Sequence, residues 1–497
     1  MANGFSTGPG RYCELHAHSC FSLLDGVPFP EELAVRAAEL GLPAVALTDH
    51  DALYGLVPFY TRAQACGIKP IVGAEITLED DGHLTLLAET QSGYRNLCQL
   101  ITKGRAQRPK GQSALPWAEL PGHAHGLICL TGCRRGPVAS RLLARDWDGA
   151  RQALRSLLEI FGPANVYVEL QRNLRRDDGR LSRWLAALAI EFRIKCVATG
   201  DVHYLSRDDA DLQSVLVSVR ERVPLPVGAK RVSPLQRPNH EYFLRSAATM
   251  DAFYPDLPDA ISNTLEVAER CNVALPVGLQ VLPVYPTPAG TDAEAYLRQL
   301  CREQLRVYYP RNLPRAAELL EKELAIIAQL ELANYFLVVW DIVNFCKRRG
   351  ILCHGRGSAA NSLVARLLGI STVDPIAQGL VIERFISVEH GGTPDIDLDI
   401  DAARRESVIQ YVYNRWGRDH AAMACTYVTY RSASAIRDAG FALGFKPDVI
   451  EEIAQAVETQ RHAEQPDQDG RVEVPDAPIP DLTTRLPDRL TTRLQTT

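Results

Sequence analysis

Two imidazoles stand two residues apart in Glu14-Leu15-His16-Ala17-His18, on one side of an extended segment, because side chains there alternate with period two. Thr48-Asp49-His50 follows the apolar run Ala44–Leu47, and Glu75 follows Pro70–Ala74. His83 opens the run Leu84–Ala88, Cys133 follows Leu127–Leu130, and Asp201-Val202-His203 follows Lys195–Ala198. Taken singly these are weak signals: an HxH pair is often structural, and a lone Cys133 reads as a core thiol. Repeated at one strand end after another, they point to a metal centre. Mixed imidazole, carboxylate and thiolate donors suit Zn²⁺, Mn²⁺ or Fe²⁺ better than Ca²⁺. Several such ions together bind a phosphate, activate a water and stabilise a leaving oxygen, so the expected chemistry is phosphoester hydrolysis.

A second set lies further on. Ile351 to Ser362 (ILCHGRGSAANS) reads as a strand, a Gly-rich loop and then a helix whose N-terminal amides face a phosphate. Arg356 adds a bidentate donor. A plain tight turn with Ser358 as N-cap fits the same residues. Pro394-Asp395-Ile396-Asp397-Leu398-Asp399-Ile400-Asp401 puts four carboxylates on one face of a strand and three apolar residues on the other. Such a row repels itself unless a cation sits there, and Mg²⁺ suits carboxylate oxygens. The alternative is a solvated edge strand that uses charge against aggregation.

The elements that must position these groups are legible as patterns. Seven apolar runs (Tyr12–Leu15, Ala44–Leu47, Pro70–Ala74, Leu84–Ala88, Leu127–Leu130, Val166–Leu170 and Lys195–Ala198) read as strands. Helical spacing over Glu31–Leu40, Trp147–Phe161 and Leu181–Phe192 separates several of them, which argues α/β with a barrel or a doubly wound sheet. Glu79-Asp80-Asp81-Gly82 is the exception and reads as a hairpin turn. Pro276–Pro288 marks a boundary. Helices are expected over Ala293–Tyr308, Pro314–Leu332, Ala433–Leu443 and Pro447–Val457, with a mixed α/β region from Tyr335 to about Tyr430. Beyond Arg461 the periodicity ends and the tail reads as disordered.

The 497 residues carry 54 Lys and Arg against 60 Asp and Glu, a net charge of −6, which excludes a histone-like basic protein but not a locally basic groove. With 46% hydrophobic and 23% charged residues the chain is of ordinary globular composition. No run approaches the length of a membrane span, and Met1–Arg11 has no apolar signal core. The 12 cysteines show no paired spacing and read as reduced thiols of a cytoplasmic protein.

His16-Ala17-His18-Ser19 with Thr48-Asp49-His50 resembles the polymerase-and-histidinol-phosphatase (PHP) domain, in the form found at the N-terminus of bacterial C-family DNA polymerases. The resemblance implies a distorted (β/α)7 barrel with up to three ions held by His16, His18, Asp25, His50, Glu75, His83, Cys133, Asp201 and His203. GRGSAANS, Glu383-Arg384-Phe385 and PDIDLD are similar to the polymerase palm. There Asp397 and Asp399 match the catalytic, Mg²⁺-binding pair, and Arg356, Gly357 and Ser358 match the loop on the incoming triphosphate. Phe385-Ile386-Ser387, Thr429–Ala433 and Ile436-Arg437-Asp438 look most like the error-prone, damage-tolerance branch. The implied layout is a PHP barrel at 10–275, the first part of a nucleotidyltransferase-like α/β palm at 276–430, the start of a helical thumb at 431–460 and a tail at 461–497.

The family's third catalytic aspartate lies beyond a thumb insertion and has no counterpart before Thr497. Weak or no polymerase activity is therefore expected of residues 1–497. The implied partners are primer–template DNA and dNTPs, with a sliding clamp and other damage-tolerance proteins through C-terminal parts that have no match here, and no membrane. Three readings stand side by side. The first is an error-prone polymerase α subunit by descent. The second is a metal-dependent phosphoesterase or 3′–5′ exonuclease housed in the barrel alone. The third is a noncatalytic DNA-binding module using basic residues such as Arg105, Arg108, Lys110, Lys347, Arg348 and Arg349.

Overall fold

The computed structural model describes residues 12–106, 108–225, 237–275, 277, 283–380, 395–424 and 426–463. Glu383-Arg384-Phe385 and nearly all of the tail expected to be disordered lie outside them. The chain forms two compact units, 1–277 with 429–497, and 278–428.

The first unit contains a six-stranded sheet in the order β1 (Ala44–Leu47), β2 (Lys69–Thr77), β3 (His83–Ala88), β4 (Leu127–Leu130), β5 (Val166–Gln171), β6 (Cys196–Thr199). The β2–β3 and β3–β4 pairs are antiparallel and the other three are parallel, so β3 alone runs backwards. The extended segment Tyr12–His18 closes the ring. Glu14 bridges Val45 of β1, and Ala17 bridges Val202 just past β6. The six strands and this closing segment form the barrel that the resemblance implies, and a doubly wound sheet is excluded.

Helices α1 (Pro30–Glu39), α2 (Leu56–Ala65), α3 (Gln91–Arg105), α4 (Ala139–Leu143), α5 (Trp147–Phe161), α6 (Asp178–Phe192), α7 (Ala210–Glu221), α8 (Ala247–Phe253) and α9 (Pro258–Arg270) complete the barrel. Their ends follow local rules. Pro30 opens α1, and the Glu32 carboxylate accepts the Phe29 amide at 2.8 Å. Asp146 caps α5 through the Gly149 amide at 2.9 Å, and Ala150, Leu154, Leu157 and Phe161 give that helix one buried stripe.

Strand alternation sorts the barrel into two cores. Val45, Leu47, Val72, Ile76, Leu84, Leu86, Cys129, Val166, Val168 and Ala198 pack with the helices. The intervening residues Ala44, Ala46, Ile71, Leu87, Ile128, Leu130, Tyr167 and Val197 pack on Leu265, Ala268 and Cys271 from α9 and its end. Each fully buried aliphatic side chain of this kind contributes about 1.5–3 kcal/mol. This second face changes character along every strand. Two and four residues on from Ile71 come Gly73 and Glu75, from Tyr167 come Glu169 and Gln171, and from Val197 come Thr199 and Asp201. On the reversed β3 the same walk runs backwards from Leu87 through Thr85 to His83. One end of the barrel is therefore an apolar plug, and the other is lined by ligand-type side chains.

In the second unit, α10 (Ala293–Tyr308), α11 (Leu313–Gln329), α12 (Ala333–Arg348) and α13 (Leu363–Leu367) share one core built on Leu297, Leu320, Leu324, Phe336, Leu337 and Leu363. The periodic Leu320, Leu324 and Ile327 are buried as their spacing requires, and Leu319 and Leu330 pack at the core's edge. The sequence reading missed α12, whose Tyr, Phe, Val and Trp content favours strand. Burial of Phe336, Leu337, Val339 and Val343 against α10 and its neighbours overrides that preference. No single helix among the described residues is long and apolar enough to cross a membrane.

Strands β7 (Cys353–Arg356) and β8 (Asp397–Ile400) form a two-stranded antiparallel sheet with Arg356 opposite Asp397 and His354 opposite Asp399. Ile396 and Leu398 pack on the helical core, as alternation requires. Helix α14 (Arg405–Trp416) follows. Then α15 (Ser432–Ala442) and α16 (Pro447–Ala463) pack with the first unit, where the Leu225 amide donates to the Ala442 carbonyl at 2.7 Å.

One expectation needs correction. The helix after the Gly-rich loop does not present free amides to a phosphate, and Ser358 is not its cap. Ser362 accepts the Ala365 amide at 3.0 Å. The buried Glu323 carboxylate of α11 accepts the Leu363 and Val364 amides at 3.0 and 2.9 Å. The helix terminus is thus satisfied from within the core.

Two stability predictions arise here. Glu323→Ala leaves two buried amides without an acceptor and should destabilise the second unit by about 2–4 kcal/mol, read as a lowered midpoint in thermal or urea unfolding. Gly132 has φ +86°, and a Cβ there would lie 2.0 Å from the His83 carbonyl oxygen. Gly132→Ala should therefore cost about 1–3 kcal/mol or more in the first unit by the same measurement.

Candidate metal centre

The ligand-type end of the barrel gathers all nine residues that the resemblance marks. His16 and His18 come from the closing segment, Asp25 from the turn after it, and His50 from the residue that bridges Glu75 beyond β1. Glu75 lies within β2, His83 opens β3, Cys133 follows β4, and Asp201 and His203 follow β6. These turns take the left-handed conformation at Leu24 (φ 57°), Asp51 (φ 49°), Gly132 (φ +86°) and Asp201 (φ 50°).

The donors fall into three overlapping groups: His16, His18 and Glu75; His50, Glu75 and His83; and His18, His50 and His203. Glu75 faces four imidazoles, His16 and His18 Nε2 at 3.6 and 3.7 Å and His50 and His83 Nδ1 at 2.8 and 3.0 Å. Asp201 Oδ1 stands 3.8 Å from His16 Nε2 and 3.7 Å from His18 Nε2. Cys133 Sγ is 3.6 Å from His83 Nδ1, and Asp25 Oδ2 is 3.4 Å from His50 Nε2.

The far nitrogens are already engaged. His16 Nδ1 meets Glu169 at 2.6 Å, His18 Nδ1 meets Ser22 Oγ at 3.1 Å, and His203 Nδ1 meets the Asp201 carbonyl at 2.8 Å. Ser22 is held in turn by Asp49 at 2.7 Å, and Glu169 by Thr199 at 2.5 Å. This is the outer shell that fixes imidazole orientation around a cation. His16 Nε2, His18 Nε2 and Glu75 Oε1 are fully buried and make no hydrogen bond. Leaving three such atoms orphaned is costly unless something binds them. A divalent ion among His16, His18, Glu75 and Asp201 fits that requirement and the donor chemistry.

The electrostatics are strongly perturbed. Burial works to lower the His16 pKa, but Glu169 and Glu75 outweigh it and hold it well above the ordinary value. Burial likewise opposes protonation of His50, yet Glu75 and Asp25 raise its pKa to about 10. His18 goes the other way, held well below its usual value by burial and then by His203 and His50. Burial would raise Glu75, but His83, His50 and His16 keep it well below the carboxylate range. Burial, Glu75 and Asp201 push the Cys133 thiol well up, so a thiolate there needs a cation beside it.

A cleft of about 790 Å³ opens over His50, Glu75, His83, Cys133 and Asp201, and six arginines (105, 134, 135, 175, 220 and 237) line it. Its wall is cationic above an acidic and imidazole floor, a layout suited to a phosphate ester. Arg105 is the one member of the basic group noted in the sequence that lines this cleft.

In the second unit the loop and the aspartates meet directly. Arg356 Nε is 3.1 Å from both Asp399 oxygens, and another of its guanidinium nitrogens is 3.2 Å from Asp397. Gly357 has φ +97°, with the Asp395 carbonyl 2.5 Å from where a Cβ would stand. Ser358 Oγ accepts the Asp395 amide at 3.3 Å. The Asp397 and Asp399 side chains are 41% and 61% exposed, so this pair sits at the surface and the barrel donors do not.

Sequence reasoning missed Glu14, Glu169, Asp49 and Arg237. A glutamate inside the apolar runs at 12–15 and 166–170 was a usable signal, because a buried carboxylate requires partners. Glu14 answers it by accepting from the Tyr12 hydroxyl at 2.6 Å and the His16 amide at 2.9 Å. Arg237 carried no local signal, since its charged and imidazole partners Asp25, Asp201 and His203 lie 34 and more residues away.

Two family descriptions match this chain. The PHP domain description matches residues 14–173, and that of the bacterial DNA polymerase III alpha NTPase domain matches residues 295–476. The chain is 39% identical over 464 residues to the error-prone DNA polymerase of Symbiobacterium thermophilum, covering 90% of this chain and 42% of that protein. It is 41% identical over 453 residues to the error-prone DNA polymerase of Mycobacterium tuberculosis, covering 88% and 41%. With that of Cutibacterium acnes it shares 39% over 484 residues, covering 94% and 42%. The chain thus spans about two fifths of the length of these relatives. Among solved structures, an amidohydrolase from Chromobacterium violaceum aligns with 16% identity and a TM-score of 0.28 over 46% of this chain and 94% of that one, too slight a likeness to bear on function. Residues 14–173 thus match the PHP domain and residues 295–476 the bacterial DNA polymerase III alpha NTPase domain, and nine tenths of the chain is about 40% identical to error-prone DNA polymerases.

Proposed function

We propose that this chain is the PHP and front palm portion of an error-prone DNA polymerase, acting in the cytoplasm on primer–template DNA and dNTPs during damage-tolerant synthesis. The observation that carries the reading is the roughly 40% identity over nine tenths of the chain to proteins of that name. Residues 10–275 serve as the metal-binding barrel, 276–430 as the first part of the palm and 431–460 as the start of a thumb. Sliding-clamp contact would fall to other parts of such a polymerase.

In the palm, Asp397 and Asp399 would hold Mg²⁺, which would supply Lewis-acid activation of a hydroxyl and neutralisation of phosphate charge. Arg356 now spans both carboxylates, so its guanidinium must turn away from them to reach a triphosphate. Gly357 lets the backbone run close to the Asp395 carbonyl, which keeps loop and aspartates in register.

A second reading, hydrolysis of phosphoesters or of DNA 3′ ends at the barrel, is favoured by the three orphaned buried donors and the arginine-lined cleft. His16, His18, Asp25, His50, Glu75, His83, Cys133, Asp201 and His203 would hold Zn²⁺, Mn²⁺ or Fe²⁺, which supply a Lewis acid and an acidified water. Glu169 fixes the His16 ring, and the cleft arginines neutralise phosphate oxygens.

Three experiments test these readings. In equilibrium dialysis of a dNTP with Mg²⁺ against the purified chain, Arg356→Ala should weaken binding about 10–100-fold, the loss of a charge-assisted hydrogen bond, and unchanged binding sinks the palm assignment. For the barrel, Glu169→Gln should lower metal affinity about 10–100-fold. Nuclease or phosphodiesterase turnover should vanish in His16→Ala and persist in Asp397→Ala. Metal-independent turnover, or equal loss in both variants, rules the barrel reading out.

A further inference from the structure

Arg237 enters the donor cluster from the chain after β6. Its guanidinium nitrogens lie 3.6 Å from Asp25 Oδ2 and 3.6 Å from Asp201 Oδ2, and one contacts His203 Nε2. The other face of the guanidinium lies over the Tyr242 ring, 5.1 Å from its centroid. The side chain is 22% exposed, and its Nε makes no hydrogen bond. Charges thus hold the guanidinium nitrogens and the Tyr242 ring covers one face, while the side chain also lines the cleft. Asp25 is shared further. Its Oδ2 also faces Arg220 at 3.4 Å and His203 Nε2 at 3.7 Å, and its Oδ1 accepts from Gln213 at 2.9 Å.

The donor atoms at this corner are those a divalent ion would need, and a guanidinium stands among them. One space between two carboxylates and an imidazole cannot hold both cations. The corner formed by His16, His18 and Glu75 is different: its orphaned nitrogens face Glu75 oxygens at 3.6 and 3.7 Å, and among the described residues no arginine pairs with Glu75.

From this we propose that Arg237 is a resident competitor for the Asp25–Asp201–His203 corner, so that the centre fills in order: the His16–His18–Glu75 and His50–Glu75–His83 groups first, and the Arg237 corner last, by displacing the guanidinium into the cleft. The inference rests on the metal-centre reading above. It gives Arg237 two positions with two uses. Inside, it balances Asp25 and Asp201. Swung out, it joins the cleft wall where a substrate phosphate would lie. If the guanidinium holds the corner about nine tenths of the time, apparent affinity for the last ion is reduced about tenfold.

Mn²⁺ titration of EDTA-stripped protein, with free Mn²⁺ counted by electron paramagnetic resonance, tests this. Wild type should show a last binding step about tenfold weaker than the same step in Arg237→Gln. Arg134→Gln removes a cleft charge paired with Asp177 and Asp178 instead, and should titrate as wild type. A second measurement needs no variant. Phenylglyoxal labelling of wild type, read by mass spectrometry, should modify Arg237 several-fold faster with saturating Mn²⁺ than with EDTA. Coincident titrations of wild type and Arg237→Gln, or equal labelling in the two conditions, overturn the proposal and leave the metal centre standing. Failure of wild type to bind Mn²⁺ at all removes both.

Discussion

Glu75 is the point on which the barrel converges. One buried carboxylate faces His16, His18, His50 and His83, residues drawn from the closing segment, the turn after β1 and the reversed strand. Burying a lone carboxylate is costly, and burying four clustered imidazoles invites mutual repulsion when they are protonated. Together they offset one another, and Glu169 behind His16 adds a second negative charge at the same centre. Close packing of this polar end is tolerable because the opposite end, plugged by Leu265, Ala268 and Cys271, carries the apolar burial. The strands thus divide one inward face between two tasks, and period-two alternation keeps the halves in register.

The two candidate sites solve the same electrostatic problem at different depths. In each, an arginine bridges carboxylates of the kind that bind cations: Arg237 on Asp25 and Asp201, and Arg356 on Asp397 and Asp399. The Arg356 pairs lie at the surface, where salt and water screen them, so exchanging that arginine for another cation is a small change. The Arg237 pairs are largely enclosed, and breaking them without a replacement leaves charges uncompensated. Depth therefore decides whether an arginine acts as a loose placeholder or as a gatekeeper.

Much of this was legible in the sequence, and the reason is local. His16 and His18 declare themselves by spacing, and His50, Glu75 and His83 by standing at the ends of apolar runs. The hairpin at Glu79–Gly82 declared the reversal of β3, which the β2–β3 register bears out. What stayed hidden depends on distance along the chain. Glu169 supports His16 across 153 residues, and Glu323 reaches the Leu363 amide across 40. A mid-helix glutamate reads as a surface residue, so nothing nearby marked Glu323 as the acceptor that occupies the helix terminus expected to face a phosphate. Helix α12 was hidden differently, because its local composition and its tertiary burial favour opposite conformations.

The backward course of β3 also orders how cheaply the centre can be assembled. Because β3 returns directly through a hairpin, Glu75 and His83 are joined by a short loop, whereas His16 meets Asp201 only when the ring closes between Ala17 and Val202. Loop-closure entropy grows with the logarithm of length, which makes the second contact about 3 kcal/mol more costly to close than the first. The hairpin half of the centre is therefore local in the chain's own coordinates, and the histidine pair at the N-terminus has no acidic partner from β6 until nearly the whole barrel has been laid down. An N-terminal motif so easy to see in the sequence is, in the time-course of folding, among the last parts of the site to gain its purpose.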